Sequence, residues 1–174
     1  LVPTSAVKYV CENGLMNGTS GSTFSPLENL TRAQLTAVLY RMDGSPAVSG
    51  TCSFTDAKRG AYYADALVWA ERNALVNGYG SGAFGVGDAI TREQLVTILY
   101  RYAAYKGIDV SARADLSGYR DAEKISGYAR DAFGWAVEAG LIRGSGDLLN
   151  PQGRTTRAEY AAIAARFHKT FIAK

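Results

Sequence analysis

The chain has 174 residues, of which 47% are hydrophobic and 20% are charged, proportions typical of a folded globular protein. Its net charge of +3 comes from 19 basic and 16 acidic residues without a basic cluster, which argues against a nucleic-acid-binding protein. The longest apolar run, residues 160–165, is far shorter than the roughly 20 residues that a membrane-spanning helix needs. Because the sequence begins without methionine or a signal peptide, we expect a mature form or an excised piece.

The chain contains one histidine, His168, and two cysteines, Cys11 and Cys52. A zinc-type site needs three or four such ligands at close spacing, so we expect neither a metal nor another cofactor. A catalytic triad would depend on His168 as its only available base. The two cysteines could form a bridge between neighbouring parts of an extracellular protein, but we favour two free thiols.

In chain order, the same pattern of residues occurs three times, which indicates an internal repeat. A threonine–arginine pair recurs with the arginines 60 and then 65 positions apart, and a turn sequence ending in glycine precedes each pair. The pairs lie in 30–34 (LTRAQ), 90–94 (ITREQ) and 155–159 (TTRAE); the turns lie in 14–18 (GLMNG), 74–78 (ALVNG) and 140–144 (GLIRG). We therefore predict repeats at 1–44, 45–106 and 107–174. The first repeat lacks the lead-in that the others have at 54–56 and 119–121.

Each repeat is predicted to form a short amphipathic helix, a glycine-rich loop and a second helix. Gly14 and Gly140 suit left-handed positions at the ends of first helices. Each second helix begins after a threonine that is followed three positions later by glutamine or glutamate, the sequence of a capping box. Loss of such a cap costs about 1 kcal/mol, so helix stability alone explains the six residues concerned. These residues are Thr31, Gln34, Thr91, Gln94, Thr156 and Glu159.

One helix–loop–helix unit is too small to bury its apolar face alone. Three units can share one core with approximate three-fold symmetry, or they can stack in a line. Because there are only three copies, we predict the closed arrangement. The predicted fold is therefore mainly α, with three repeats forming one compact domain of pseudo-three-fold symmetry.

The repeated arginines Arg32, Arg92 and Arg157 occupy the first helical position, where the helix dipole mildly disfavours a cation. One explanation is an anion site formed by the guanidinium and the free N–H groups of the helix start. Another is a structural ion pair with a neighbouring carboxylate such as Asp56 or Asp121. The sequence leaves both open at this point, although the excess of 13 arginines over 6 lysines mildly favours an anionic ligand.

Further recurring residues have structural explanations. Arg41, Arg101 and Arg166 fall near helix ends on the face opposite the repeated arginines, and we interpret them as structural. Trp69 and Trp135 lie in apolar stripes, so core packing is the default interpretation and a sugar-binding surface is the alternative.

The repeated TRAQ, TREQ and TRAE elements, the GLMNG-type turns and the Phe24-Ser25-Pro26 segment together resemble S-layer homology domains. The resemblance extends from about Ala6 to Phe167. It implies a three-repeat helical module on the surface of Gram-positive or related bacteria, holding a larger surface protein or enzyme to the cell wall without catalysis. The implied ligand is an anionic secondary cell-wall polysaccharide bearing pyruvate ketals.

The resemblance also implies site residues. The ketal carboxylate would meet Arg32, Arg92 and Arg157 in grooves between repeats, and loop residues after Gly18, Gly78 and Gly144 would form the groove walls. We add Trp69, Trp135, Asp56 and Asp121 as candidate carbohydrate-binding neighbours. Because the cap does not use the arginine side chain, we expect Arg92→Ala to reduce affinity and leave stability nearly unchanged.

Two other classes of function compete with a carbohydrate-binding anchor. In a protein–protein or self-assembly module, the arginines would pair with acidic residues of neighbouring molecules. In a wall hydrolase, a pair of carboxylates would carry the reaction, but no carboxylate pair recurs in a motif of its own. Glu159 is the nearest candidate acid, and its position in a capping box already accounts for it.

Overall fold

The computed structural model describes residues 4–173, which contain six α-helices and, within that range, no β-strand. The predicted mainly-α fold with two helices per repeat is confirmed, whereas its three-fold symmetry stays a prediction. None of the helices in residues 4–173 is long and apolar enough to cross a membrane. The helices are α1 (Thr4–Glu12), α2 (Arg32–Met42), α3 (Ala64–Arg72), α4 (Arg92–Tyr105), α5 (Arg130–Glu138) and α6 (Arg157–Phe167). Two 3₁₀ turns, Ala122–Lys124 and Gly127–Ala129, precede α5, and a π-helical segment, His168–Ile172, follows α6.

The second helix of every repeat begins with the predicted capping box. The Thr31 hydroxyl accepts a hydrogen bond from the backbone N–H of Gln34, whose side-chain oxygen accepts from the N–H of Thr31 at 3.0 Å. The same reciprocal pairs begin α4 and α6. Gly14 and Gly140 adopt the expected left-handed conformation, with φ of 66° and 69°. Local sequence therefore fixes where each helix starts and how the loop after the first helix turns away.

The helices pack in pairs that join different repeats. Helix α2 packs against α3, α4 against α5, and α6 against α1. Each second helix thus packs on the first helix of a different repeat, because its apolar residues face that neighbour. Representative side chains with essentially no solvent exposure on these helices are Val10, Leu35, Leu39, Leu67, Leu95, Leu99, Phe133, Tyr160 and Phe167.

The chain divides into two compact units. The larger comprises the chain up to Ala89 together with the segment from Thr156 onward, and the smaller comprises Ile90–Thr155. The boundaries fall next to Thr91 and Thr156, the N-caps of α4 and α6. They differ from the predicted repeat boundaries because pairing of helices from different repeats, rather than the sequence repeat, defines the compact units. The larger unit contains α1, α2, α3 and α6, and the smaller contains α4 and α5.

Candidate ligand-binding site

Arg32 of the larger unit is held by backbone carbonyls of the second repeat. Its Nε donates to the carbonyl oxygen of Phe84 at 2.8 Å and its Nη2 to that of Asn77 at 2.9 Å. The guanidinium carbon lies 4.6 Å from the ring centre of Phe84 and 5.0 Å from that of Tyr79. Arg32 is only 5% exposed, so aromatic faces and carbonyl dipoles replace most of the water around its charge.

Arg157, also in the larger unit, has the same arrangement, and its carbonyl partners belong to the first repeat. Its Nε donates to the carbonyl oxygen of Phe24 at 2.8 Å and its Nη2 to that of Asn17 at 2.7 Å. The guanidinium carbon lies 4.7 Å from the ring centre of Phe24, and the residue is 4% exposed. These hydrogen bonds engage Nε and Nη2, and neither uses Nη1.

In the smaller unit, Arg92 makes the same type of contact in a looser form. Its Nε donates to the carbonyl oxygen of Leu149 at 2.9 Å, but its Nη2 lies 3.5 Å from the carbonyl oxygen of Arg143. Leu149 occupies the position of the phenylalanines in the larger unit, and Arg92 itself is half-buried. The motif thus produces the same pair of arginine–carbonyl contacts three times, but the Nη2 contact is longer for Arg92 than for Arg32 and Arg157.

The carboxylates of Asp56 and Asp121 bind backbone amides. Asp56 accepts hydrogen bonds from the N–H groups of Phe84, Gly85 and Val86 at 2.7, 2.8 and 3.0 Å. Asp121 accepts from Leu149 and from the following residue, Asn150, at 2.8 and 2.7 Å. Each aspartate therefore fixes the residue whose carbonyl receives the arginine Nε, which is a positioning role.

The electrostatics of the two aspartates follow from these bonds. Burial by itself would raise the pKa of Asp56, but the three backbone donors outweigh it and lower the pKa below its usual value. Burial likewise would raise the pKa of Asp121, but its backbone hydrogen bonds lower it. The charge of Lys124 adds to the lowering, so the net pKa is again below the usual value. Both carboxylates are thus held in the ionised form by the loops that they organise.

A cavity of about 420 Å³ in the larger unit brings together two of the predicted site residues, Arg157 and Gly18, and the other predicted site residues do not line it. Arg157 contributes one wall, and Gly18 with its neighbouring loop residues contributes another. The remaining wall includes two residues that the sequence analysis did not place in a site, Arg41 from α2 and Tyr62 from the segment before α3. The cavity is lined by Met16, Asn17, Gly18, Thr19, Gln34, Ala37, Val38, Arg41, Tyr62 and Arg157.

Arg41 was predicted to be structural, and the structure gives it a weak structural contact together with a place in the cavity. Its Nη1 lies 3.4 Å from the carbonyl oxygen of Leu15. Arg41 lies on the face of α2 opposite Arg32, so these two arginines were not expected to share a site. Arg41 instead shares the cavity with Arg157, which belongs to α6. The available signal was the recurrence of an arginine near the end of every second helix.

Two cationic groups therefore share this cavity. Burial lowers the pKa of Arg157 most strongly; the carboxylate of Glu28 opposes this, and the charge of Arg41 adds a smaller lowering. Burial likewise lowers the pKa of Arg41, with Tyr62 acting in the opposite direction. Both groups remain protonated at neutral pH because an arginine pKa starts above about 12. The cavity is consequently suited to an anion.

The repeated glycines have a steric reason that is independent of any ligand. A Cβ atom at Gly18 would lie 2.6 Å from the carbonyl oxygens of Ser20 and Thr23. At Gly78 it would lie 2.8 Å from the Phe54 ring, and at Gly144 it would lie 2.7 Å from the Tyr119 ring. A close approach of chain segments thus requires glycine, and Gly18 additionally lines the cavity.

The two tryptophans lie in the interior. Trp69 and Trp135 are each 2% exposed, and their rings contact Tyr40 and Tyr100 at centroid distances of 5.6 and 5.8 Å. Rings enclosed to this degree present no face to a sugar. The core interpretation fits these contacts, and we do not include the tryptophans in the proposed site.

Cys11 and Cys52 are both free thiols, exposed and half-buried respectively, in agreement with the prediction. His168 accepts or donates a hydrogen bond with the Tyr9 hydroxyl at 2.9 Å, and burial lowers the pKa of its ring. None of these three residues lines the cavity.

The sequence model of the S-layer homology domain matches the chain at three successive positions, residues 3–36, 53–96 and 118–161. The chain belongs to the S-layer homology domain family. Each match contains the first helix of one repeat and the start of its second helix, including Arg32, Arg92 or Arg157. The family predicted from the repeated motifs is thereby confirmed.

In proteins similar to this S-layer homology module, the matching segment is part of a longer chain. It is 33% identical over 158 residues to an endoglucanase of Bacillus sp. (strain KSM-635), covering 90% of this chain and 17% of that protein. It is 27% identical over 165 residues to the surface-layer 125 kDa protein of Lysinibacillus sphaericus, covering 92% and 14%. It is 26% identical over 162 residues to a cellulosome-anchoring protein of Acetivibrio thermocellus, covering 87% and 34%.

The chain thus spans about a third or less of the length of these relatives. Family and relatives together support a cell-surface anchoring module, and the predicted location at the cell surface is confirmed. The similarity to an endoglucanase involves only a small part of that enzyme, so it gives this chain no catalytic role.

Proposed function

We propose that this module anchors a larger surface protein or enzyme by binding an anionic cell-wall polysaccharide, without catalysis. The observation that carries the proposal is the pair of guanidinium groups, Arg41 and Arg157, in one cavity of about 420 Å³. Two neighbouring cations, one buried and one half-buried, repel each other, and a carboxylate between them removes that repulsion and gains charge-assisted hydrogen bonds. The pyruvate ketal of a wall polysaccharide supplies such a carboxylate on a sugar of suitable size.

Arg157 is prepared for this role by its own contacts. The carbonyl oxygens of Asn17 and Phe24 fix the guanidinium through Nε and Nη2. The Nη1 group is then oriented before any ligand arrives, so binding costs little side-chain entropy. Arg32 makes the equivalent carbonyl contacts and Arg92 makes a looser form of them, and we propose that both serve equivalent sites.

Binding to protein-free cell walls tests this function against self-assembly. We expect the module to sediment with walls that carry pyruvate ketals and to stay in solution after mild acid has removed the pyruvate. Arg41→Ala should weaken binding about 10- to 100-fold, the range for hydrogen bonds to charged groups. Arg59→Ala, which removes an exposed arginine outside this cavity, is the matched control and should bind normally.

The competing result is equally specific. A self-assembly module would not bind to the cell walls, whether or not they carry pyruvate, and would form oligomers in solution instead. Wall binding that survives pyruvate removal would show that the carboxylate is not what the arginines recognise.

A further inference from the structure

Tyr62 combines two properties that the repeated motif does not predict. Its side chain is 61% exposed, yet it lines the cavity that contains Arg41 and Arg157. Tyr105 on α4 is also exposed, at 43%, but it does not line this cavity. An aromatic ring that is open to solvent beside the buried Arg157 and the half-buried Arg41 needs an explanation beyond packing of the core.

The Tyr62 ring packs against the ring of its neighbour in the sequence, Tyr63. The buried ring of Tyr63 contacts it at a centroid distance of 5.1 Å and an interplanar angle of 79°, an edge-to-face arrangement. Burial raises the pKa of Tyr62, whereas Thr31, the N-cap of α2, and the charges of Arg157 and Arg41 each lower it, so the Tyr62 hydroxyl lies within electrostatic reach of both arginines. The contact with Tyr63 restricts the orientations of the Tyr62 ring before a ligand arrives, which lowers the entropic cost of binding against it.

The other walls of the cavity complete an amphipathic surface. Ala37 and Val38 of α2 are apolar, whereas Gln34 on the same helix is a hydrogen-bonding group. A pyranose ring has the matching character, with C–H groups on one face and hydroxyl groups at its edge. Its C–H groups carry slight positive charge and are attracted to the negative face of an aromatic ring.

Building on the function proposed above, we propose that Tyr62 is the stacking platform for the sugar ring whose carboxylate meets Arg157 and Arg41. The second repeat thus supplies the platform, the third supplies Arg157, and the first supplies Arg41 and the loop at Gly18. One ligand site in the larger unit accordingly needs side chains from all three repeats.

Nuclear magnetic resonance of pyruvylated wall-polysaccharide oligosaccharides tests the platform directly. An aromatic ring current shifts protons that stack on its face upfield, so the sugar ring protons should move upfield on binding to the unmodified protein. Tyr62→Ala should abolish this shift and weaken binding about five- to tenfold, whereas Tyr62→Phe should keep the shift and lose about threefold or less. Tyr105→Ala is the matched control and should change neither quantity.

The outcomes separate this assignment from the function on which it rests. If Arg41→Ala loses binding while Tyr62→Ala keeps both affinity and upfield shifts, the platform is refuted and the anionic site stands. If the unmodified protein does not bind the oligosaccharides at all, the proposed function and the platform are both overturned. Circular dichroism of every variant establishes that the fold is intact, and Tyr62→Phe tests the ring should Tyr62→Ala not fold.

Discussion

In the larger unit, the guanidinium groups of Arg32 and Arg157 are nearly enclosed, whereas that of Arg92 in the smaller unit is half-buried. The Nη2 hydrogen bonds of the enclosed pair measure 2.9 and 2.7 Å, against 3.5 Å for Arg92. The aromatic ring beneath each enclosed arginine is replaced by Leu149 in the smaller unit. The repeated motif therefore sets the direction of the arginine, while residues outside it decide how firmly the arginine is held.

The largest expected effect is on stability. Sequence alone suggested that removing a motif arginine would leave stability nearly unchanged, but Arg32 and Arg157 each satisfy two backbone carbonyls in a buried setting. We expect Arg157→Ala or Arg32→Ala to lower the free energy of unfolding by about 2–3 kcal/mol, and Arg92→Ala by about 1 kcal/mol. Urea denaturation of the three variants measures this, and equal losses would show that the difference in enclosure has no energetic consequence.

A second contrast concerns the residue just before each capping box. Leu30 in the larger unit and Ile90 in the smaller are fully buried apolar residues, but the third repeat has Thr155, which is equally buried. The Thr155 hydroxyl has no hydrogen-bond partner among residues 4–173. Thr155→Val keeps the shape and removes the unsatisfied hydroxyl, so we expect a gain of about 1 kcal/mol in the free energy of unfolding.

Thermal denaturation followed by circular dichroism tests the Thr155 prediction. Thr156→Val at the neighbouring N-cap is the control, and it should destabilise because it removes the hydroxyl that caps α6. A destabilising Thr155→Val would mean that the hydroxyl has a favourable partner in solution.

A smaller difference lies at the end of each first helix. Ala74 adopts a left-handed conformation with φ of 54° at the position where the other repeats have Gly14 and Gly140. A side chain is disfavoured in this region, so we expect Ala74→Gly to stabilise by about 0.5–1 kcal/mol. Gly140→Ala should destabilise by a similar amount, and the pair of melting curves checks both signs. Loss of stability in Ala74→Gly would show that the greater flexibility of the unfolded chain outweighs the relieved strain.

The smallest effect concerns acid stability, to which both units contribute. The pKa values of Asp56 and Asp121 are lowered in the folded protein, so each carboxylate binds a proton less readily than in the unfolded chain. Their stabilisation is therefore complete above the unfolded pKa of about 4 and is lost as pH falls through the folded pKa. Urea denaturation at several pH values should give a smaller acid-induced loss for Asp56→Asn or Asp121→Asn, and an unchanged pH profile would contradict the assigned role.

Features that depend on adjacent residues could be predicted from the sequence. Thr31 with Gln34 defines a helix start through contacts three positions apart, and Gly14 defines the end of the preceding helix in the same local way. The packing of α2 against α3 could not be predicted in this way, because a repeat pattern does not show against which repeat the apolar face of a helix will pack.

The site was only partly predictable for the same reason. Arg157 was found because its motif recurs, whereas Arg41 and Tyr62 join it in the cavity through packing of α6, α2 and the segment before α3. Asp56 was recognised as a recurring carboxylate, but its partners are backbone N–H groups nearly thirty positions away. Backbone N–H groups are present at almost every residue and leave no pattern in the sequence, so the sequence suggested an ion pair between the aspartate and an arginine instead.

The most direct test of the account is a thermodynamic cycle between Arg41 and the ligand carboxylate, measured by calorimetric titration with oligosaccharides before and after pyruvate removal. If the carboxylate meets Arg41 in the cavity, removing pyruvate should weaken binding to the unmodified protein at least about tenfold and affect Arg41→Ala much less, a coupling of at least about 1 kcal/mol. Arg59→Ala should behave as the unmodified protein does. Additive effects of the mutation and of pyruvate removal would contradict the claim that these arginines recognise the carboxylate.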